Sequence, residues 1–263
     1  MNPRPVAFLD SGVGGLPYLA LARKLLPGDR FVYVADNAHF PYGEKTGDQI
    51  IEASMSVTDR LVKKEDPRLV VVACNTISVA ALGALRSRFP VPFVGVVPAI
   101  KPAAALSRRR RVGILATRQT VEGEYLANLI ESHASGCVVV SLPAGSLVEF
   151  VERDLYRSTE EERTARVAEE VARFQDAQID TLVLGCTHFL HLEREFRLLL
   201  DASGITLVDS RDGVIRQAGR LAGAPQEGDG RRGDTLFVTG AGAADERYEW
   251  FAGKFGLRLD GAL

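Results

Sequence analysis

Two cysteines stand where short apolar runs give way to turn-forming residues: Cys74 in VVVACNT (70–76) and Cys186 in TLVLGCTHF (181–189). Buried cysteine is usually a small apolar residue without chemistry. A thiol placed where a strand ends and a helix begins can instead face a cleft and react as the thiolate. One such cysteine with a histidine base would suit acyl transfer through a covalent intermediate. Two opposed cysteines suit proton traffic. One thiolate takes a proton from a carbon, the other thiol returns one to the opposite face, and that carbon is inverted. The ordinary thiol pKa of about 8.5 keeps both protonation states within reach near neutral pH. Asp10, at the end of the first apolar run, and His188, two residues beyond Cys186, are candidate tuning groups. Amides of Asn75, Thr76 and Thr187 are suited to hold a substrate carboxylate at the start of a helix. The third cysteine, Cys137, lies within an apolar run and reads as structural.

Other motifs carry weaker signals. DSGVGG (10–15) is not the dinucleotide fingerprint, which would need glycine at 17 where the chain has Pro17, and no Walker A pattern occurs. It reads as a tight strand-to-helix turn that leaves Asp10 and Ser11 at a cleft. DNAHFPYGEK (36–45) is a loop, in which Pro41, Tyr42 and Gly43 form either an ordinary turn or a rigid aromatic wall over a substrate. In LATRQT (115–120), the hydroxyls of Thr117 and Thr120 suit a carboxylate or a helix cap equally well. Four arginines at 108–111 read as a solvated helix end before a strand in preference to a phosphate site.

The elements that must position these residues alternate between β-branched runs and helical patterns, which signals an α/β fold with mostly parallel strands. One set of strands is expected at 6–10, 31–36, 69–73 and 93–97, the other at 112–116, 137–142, 181–185 and 205–209. Their near-continuous apolar character suits sheets covered by helices on both faces. Residues 49–65 show helical spacing of apolar positions. Ser158 and Glu161 are expected to cap a charged helix that runs to about Gln175. The third strand of one set ends in ACNT and that of the other in GCTH, as two similar lobes would require. Ligands of open α/β sheets lie beyond the carboxyl ends of the strands, so two such lobes are expected to bring both cysteines to one cleft.

Bulk properties narrow the function classes. The chain has 263 residues, 46% hydrophobic and 25% charged, with a formal net charge of −2. This is globular composition and gives no reason to invoke nucleic acid or an anionic membrane. The apolar run of MNPRPVAFLDSG is too short for a signal peptide, and no run reaches the roughly 18 apolar residues of a membrane span, so a cytoplasmic protein is expected. Three cysteines without a C-x-x-C pair argue against a disulfide framework and a structural zinc.

Taken together and in this order, LDSGVGG, DNAHFPYGEK, VVACNT, VGILATRQT, LVEFVER and LVLGCTHF resemble the glutamate racemases, cofactor-independent members of the aspartate/glutamate racemase superfamily. The resemblance runs from Val6 to about Asp212, and the C-terminal segment from GDTLFV onward is similar to the family's ending. It implies two α/β lobes, residues 1–97 with 211–263 and residues 98–210, with the active site in the cleft between them. It implies no metal and no pyridoxal phosphate. Glutamate would be the small-molecule partner, D-glutamate for peptidoglycan the product, and a homodimer a common assembly. Cys74 matches the base that takes the proton of D-glutamate and Cys186 the base for L-glutamate. Asp10 matches the acid beside the first thiol, and His188 and Glu152 match groups beside the second. Ser11, Pro41, Tyr42, Gly43, Asn75, Thr76, Thr117, Thr120 and Thr187 fall on substrate-contacting positions. Two departures stand out: Phe189-Leu190-His191-Leu192 where many members have Tyr-Pro-Leu-Leu, and Pro143-Ala144 near the place of a common Cys-Pro. Glu149 is the alternative to Glu152, which the following Arg153 favours.

Rival readings remain open at the level of sequence. They are a racemase for aspartate or a hydantoin, a single-cysteine hydrolase, a non-catalytic two-lobe binding protein, and a pyridoxal enzyme using Lys45 or Lys101.

Overall fold

The computed structural model describes residues 4–224, 233–240 and 245–263. The chain divides into two compact units, Met1–Val96 with Arg211–Leu263, and Val97–Ser210.

The first unit is built on a six-stranded sheet. Its strands are β1 (Val6–Asp10), β2 (Phe31–Ala35), β3 (Leu69–Val72), β4 (Phe93–Gly95), β9 (Thr235–Val238) and β10 (Arg258–Ala262), in the order β10-β9-β2-β1-β3-β4. The second unit holds β5 (Arg111–Ala116), β6 (Val138–Pro143), β7 (Thr181–Leu184) and β8 (Thr206–Val208), in the order β6-β5-β7-β8. Neighbouring strands pair in parallel in both sheets. The central strands β1, β2, β3 and β7 are buried along their whole length, as a sheet with both faces covered requires. The second sheet repeats the order β2-β1-β3-β4 of the first, and Cys74 and Cys186 each follow the third strand of that plan. The C-terminal strands β9 and β10 were not among the expected strands; they extend the first sheet beside β2.

Local chemistry explains the helices. Gly47–Glu65 begins at a capping box in which Thr46 accepts from the Gln49 amide and the Gln49 side chain accepts from the Thr46 amide. Ile50, Ala53, Val57 and Leu61 then recur on its buried face at helical spacing. The charged helix Glu160–Ala172 corrects an expectation: Thr159 and Glu162, one residue further on, form the cap. The Ser158 hydroxyl is already spent on the Leu155 carbonyl, 2.8 Å away, which leaves Thr159 to receive the first helical amides. That helix also stops short of Gln175, which starts a separate 3-10 turn, Gln175–Ala177. Arg108–Arg110 lie exposed between the helix Ile100–Leu106 and β5, where Asp180 accepts from the Arg109 amide.

Buried ion pairs clamp the first unit. Arg68 pairs with Asp29 and also donates to the carbonyls of Ala222 and Ala224, which ties the helix Arg211–Ala222 to the sheet. Both side chains of this pair are almost fully buried, whereas Arg4 and Asp66 pair in solvent. Removing one member of a buried pair strands the other charge, which costs about 3–5 kcal/mol, while an exposed pair is worth under about 1 kcal/mol. Arg68→Ala should therefore lower the urea unfolding free energy by about 3–5 kcal/mol. Arg4→Ala should change it by less than about 1 kcal/mol.

Candidate active site

In the first unit the site residues gather at the carboxyl ends of β1, β2 and β3. Asp10 closes β1, and its carbonyl accepts from the Asp36 amide just past β2. The carbonyl of Leu9 accepts from the Ala73 amide, which brings Cys74 level with Asp10. Ser11 Oγ lies 3.6 Å from Cys74 Sγ and 3.3 Å from Asp10 Oδ1, so hydroxyl, thiol and carboxylate form one hydrogen-bonded group. Asp10 also accepts from the Gly12 amide at 2.8 Å. Cys74 is the N-cap of the helix Asn75–Arg88, with Asn75 and Thr76 buried in its first turn. Among the described residues Asn75 Oδ1 is buried without a hydrogen-bond partner.

Gly15 shows why this turn is glycine-rich. A Cβ there would lie 2.4 Å from that of Ala73 and 2.9 Å from Asp10 Oδ2. Neither distance is compatible with a side chain, so the turn can pack against the strand carrying Cys74 only without one.

The loop after β2 supplies Pro41, Tyr42 and Gly43. Tyr42 is buried and donates its hydroxyl to Asp36. Burial, and then the Asp36 charge beside it, push the Tyr42 phenol well above the usual tyrosine range; Cys74 lies close enough to add to the shift. Asp36 was not among the expected site residues. It has no exposure, and besides Tyr42 it accepts from Thr239 Oγ1 and faces His39 Nδ1 at 2.8 Å. A carboxylate at a strand end inside an apolar neighbourhood was the available signal, and the loop-forming residues around it masked that signal.

In the second unit the same positions of the sheet carry a different group. Cys186 follows β7, and the Gly185 amide donates to the Leu115 carbonyl at 2.7 Å, which holds it beside the end of β5. Cys186 Sγ lies 3.8 Å from His188 Nδ1, and His188 Nε2 lies 3.1 Å from Glu152 Oε2. A carboxylate at Nε2 selects the Nε2–H tautomer, which presents Nδ1 to the thiol as an acceptor. Glu152 and His188 are buried, on the helix Gly145–Arg153 and the 3-10 turn Thr187–Leu192, and Glu149 is exposed. Thr187 is buried in the same turn. Thr117 caps the helical turn Arg118–Val121 by accepting from the Thr120 amide, and the two hydroxyls lie 3.0 Å apart at the end of β5. Cys137 packs at the edge of the second unit's core, just before the amino end of β6. Among the described residues no three His, Cys, Asp or Glu side chains gather as a metal cage requires.

The Tyr42 phenol tests the first group directly. Removing one donor from buried Asp36 should cost about 1–3 kcal/mol, so Tyr42→Phe should lower the unfolding free energy by that amount at neutral pH. A phenol whose pKa is raised by folding stabilises fully below its unfolded value near 10 and loses that contribution as pH rises beyond it. Denaturant titrations of both proteins should therefore converge above about pH 10.

Comparisons with known proteins place the chain in a family. A family model described as Asp/Glu/Hydantoin racemase matches residues 18–218. A glutamate racemase of Treponema pallidum (strain Nichols) is 43% identical over 259 residues, covering 98% of this chain and 96% of the relative. A glutamate racemase of Shewanella sp. (strain MR-7) is 41% identical, covering 83% of this chain and 79% of the relative. The crystal structure of Escherichia coli glutamate racemase in complex with L-glutamate and the activator UDP-MurNAc-Ala superposes with a TM-score of 0.88 at 35% identity, covering 97% of this chain and 96% of that one. Glutamate racemase from Thermus thermophilus, in complex with β-chloro-D-alanine, gives a TM-score of 0.74 at 31% identity, with coverage of 100% and 97%. With a family model spanning most of its length and relatives of this closeness, the chain belongs to the Asp/Glu/Hydantoin racemase family.

Proposed function

We propose that the chain is a cofactor-independent glutamate racemase that interconverts L- and D-glutamate with Cys74 and Cys186 as its two bases. The observation that carries this reading is the matched pair of thiol groups. Each cysteine follows the third strand of its sheet, and each is backed by its own buried acid, Asp10 through Ser11 and Glu152 through His188. A hydrolase needs one such group, and a binding protein needs neither. The relatives' names supply the substrate.

In the D-to-L direction the Cys74 thiolate takes the α-proton of D-glutamate, and the Cys186 thiol gives its proton to the opposite face. Cys74 then ends as thiol and Cys186 as thiolate, and the reverse reaction restores them. Transfer of the Cys186 proton to His188 Nδ1 leaves a thiolate facing an imidazolium, whose charge Glu152 balances at Nε2. Ser11 stands between the first thiol and Asp10 and passes a hydrogen bond from one to the other. Substrate contacts are assigned to Ser11, Asn75, Thr76, Thr187, Thr117, Thr120 and the Pro41-Tyr42-Gly43 wall. The unpartnered Asn75 Oδ1 supports this, because a buried acceptor left unpaired costs about 1–3 kcal/mol and a substrate N–H would relieve it. In the cell this reading makes the protein a cytoplasmic supplier of D-glutamate for peptidoglycan, working as a homodimer.

Circular dichroism of D-glutamate incubated with the purified protein is the direct test. The signal should decay to zero with no added cofactor, and more slowly or not at all with D-aspartate. Cys74→Ala and Cys186→Ala should each slow the decay by at least about 10²–10⁴-fold, the usual contribution of a positioned acid or base, and Cys137→Ala should not change it. Near-normal turnover by Cys186→Ala would refute the two-base mechanism.

A further inference from the structure

Tyr33 is a fully buried phenol that holds the backbone of the turn between β1 and the following helix. Its hydroxyl donates to the Gly12 carbonyl at 3.0 Å and accepts from the Gly15 amide at 2.9 Å. A single side chain thus satisfies polar groups at both ends of the turn, where Gly12 and Gly15 are buried. The turn is also packed tightly from behind, since Gly15 lies against Ala73 and Asp10 Oδ2. Its front carries the chemistry: Gly12 N donates to Asp10, and Ser11 Oγ reaches both Asp10 and Cys74.

We propose that Tyr33 is a positioning residue for the Cys74 half-reaction, fixing the Gly12–Gly15 turn so that Asp10 and Ser11 stay in register with the Cys74 thiol. This rests on the racemase reading and deepens it. The Tyr33 hydroxyl meets the turn at its backbone, at the Gly12 carbonyl and the Gly15 amide. It lies on β2 of the first unit, whereas Cys186 is held by His188 and Glu152 from the second, so the effect is confined to one thiol. Phe at position 33 keeps the ring in the core and removes only the hydroxyl, leaving the Gly12 carbonyl and Gly15 amide buried and unpaired.

The test separates loss of positioning from loss of fold. The kcat/KM values of a racemase in its two directions are tied by the equilibrium constant, so Tyr33→Phe must lower both together. The expected fall is roughly 10- to 100-fold, as small misplacements of a reacting group produce. The α-deuterium isotope effects are not tied in this way. When the Cys74 step alone is slowed, the isotope effect on kcat/KM rises for α-deuterated D-glutamate, whose deuteron Cys74 takes. It falls for the L-enantiomer, whose deuteron Cys186 takes. A purely structural defect reduces the amount of active protein and leaves both isotope effects unchanged, which would overturn the assignment. Should Tyr33→Phe not fold, amide exchange in the native protein decides: a slowly exchanging Gly15 amide supports the bond, and exchange at the rate of an exposed loop overturns it. Failure of the native protein to racemise glutamate would overturn the functional reading itself. Native racemisation with unaltered isotope effects in the variant would overturn this assignment alone.

Discussion

Buried carboxylates govern how this molecule is built. Asp10, Asp36 and Glu152 have no solvent exposure, and a carboxylate in that position must be met by donors or it will not stay charged. The chain meets each one differently. Asp10 takes the Gly12 amide and Ser11, Asp36 takes two hydroxyls and an imidazole, and Glu152 takes the His188 ring. Two of these donors, Ser11 and His188, are the groups that also touch the thiols. Satisfying the acid and tuning the thiol are therefore the same act. A substitution that frees a carboxylate from its donor also disturbs the cysteine next to it.

The two sheets share one strand order, yet their thiols are not equivalent. A hydroxyl stands between Cys74 and Asp10, and an imidazole stands between Cys186 and Glu152. An imidazole changes charge near neutral pH, while a serine hydroxyl only passes a hydrogen bond along. A reaction whose two enantiomers use different thiols would then have chemically distinct halves, although its overall equilibrium is symmetric. Duplicated architecture supplies the matching positions; the side chains next to the cysteines decide what each position does.

The strands β1 to β8 were legible because near-continuous β-branched runs leave few alternatives; seven fell within about a residue of the expected span, and β4 ends at Gly95, two residues before the expected 97. The thiol groups were legible because a cysteine directly after such a run has a fixed location in an α/β sheet. Helix starts were harder. Ser158-Thr159 offered two adjacent capping hydroxyls, and only the contact of Ser158 with the Leu155 carbonyl decides between them. Glu149 and Glu152 lie three apart on one helix, and burial against His188 separates them. Asp36 and Tyr33 were missed for a related reason. They make contacts with Thr239, Gly12 and Gly15 that lie 18 to 203 positions away, and such pairings leave no periodic trace.

Why the chain returns to its first unit after Ser210 follows from strand register. Strand β9 pairs with β2 so that Val238 lies opposite Ala35, which places the next residue of each strand, Thr239 and Asp36, side by side. Thr239 then donates to Asp36 and accepts from the Ala38 amide, and Arg247 and Tyr248 of the following helix donate to Asn37. The loop that carries Tyr42 is thereby held by residues some 200 positions away in sequence. Sliding β9 by one residue would turn Phe237 out of its core cluster with Val32, Val34 and Ile50 to the opposite face of the sheet. Leu236 and Val238 are buried as well, on the other face from Phe237, so packing on both faces holds the register. Apolar packing at one end of the sheet thus sets the hydrogen bonds at its chemical end, and the wall beside Cys74 depends on a strand that contributes no reacting group.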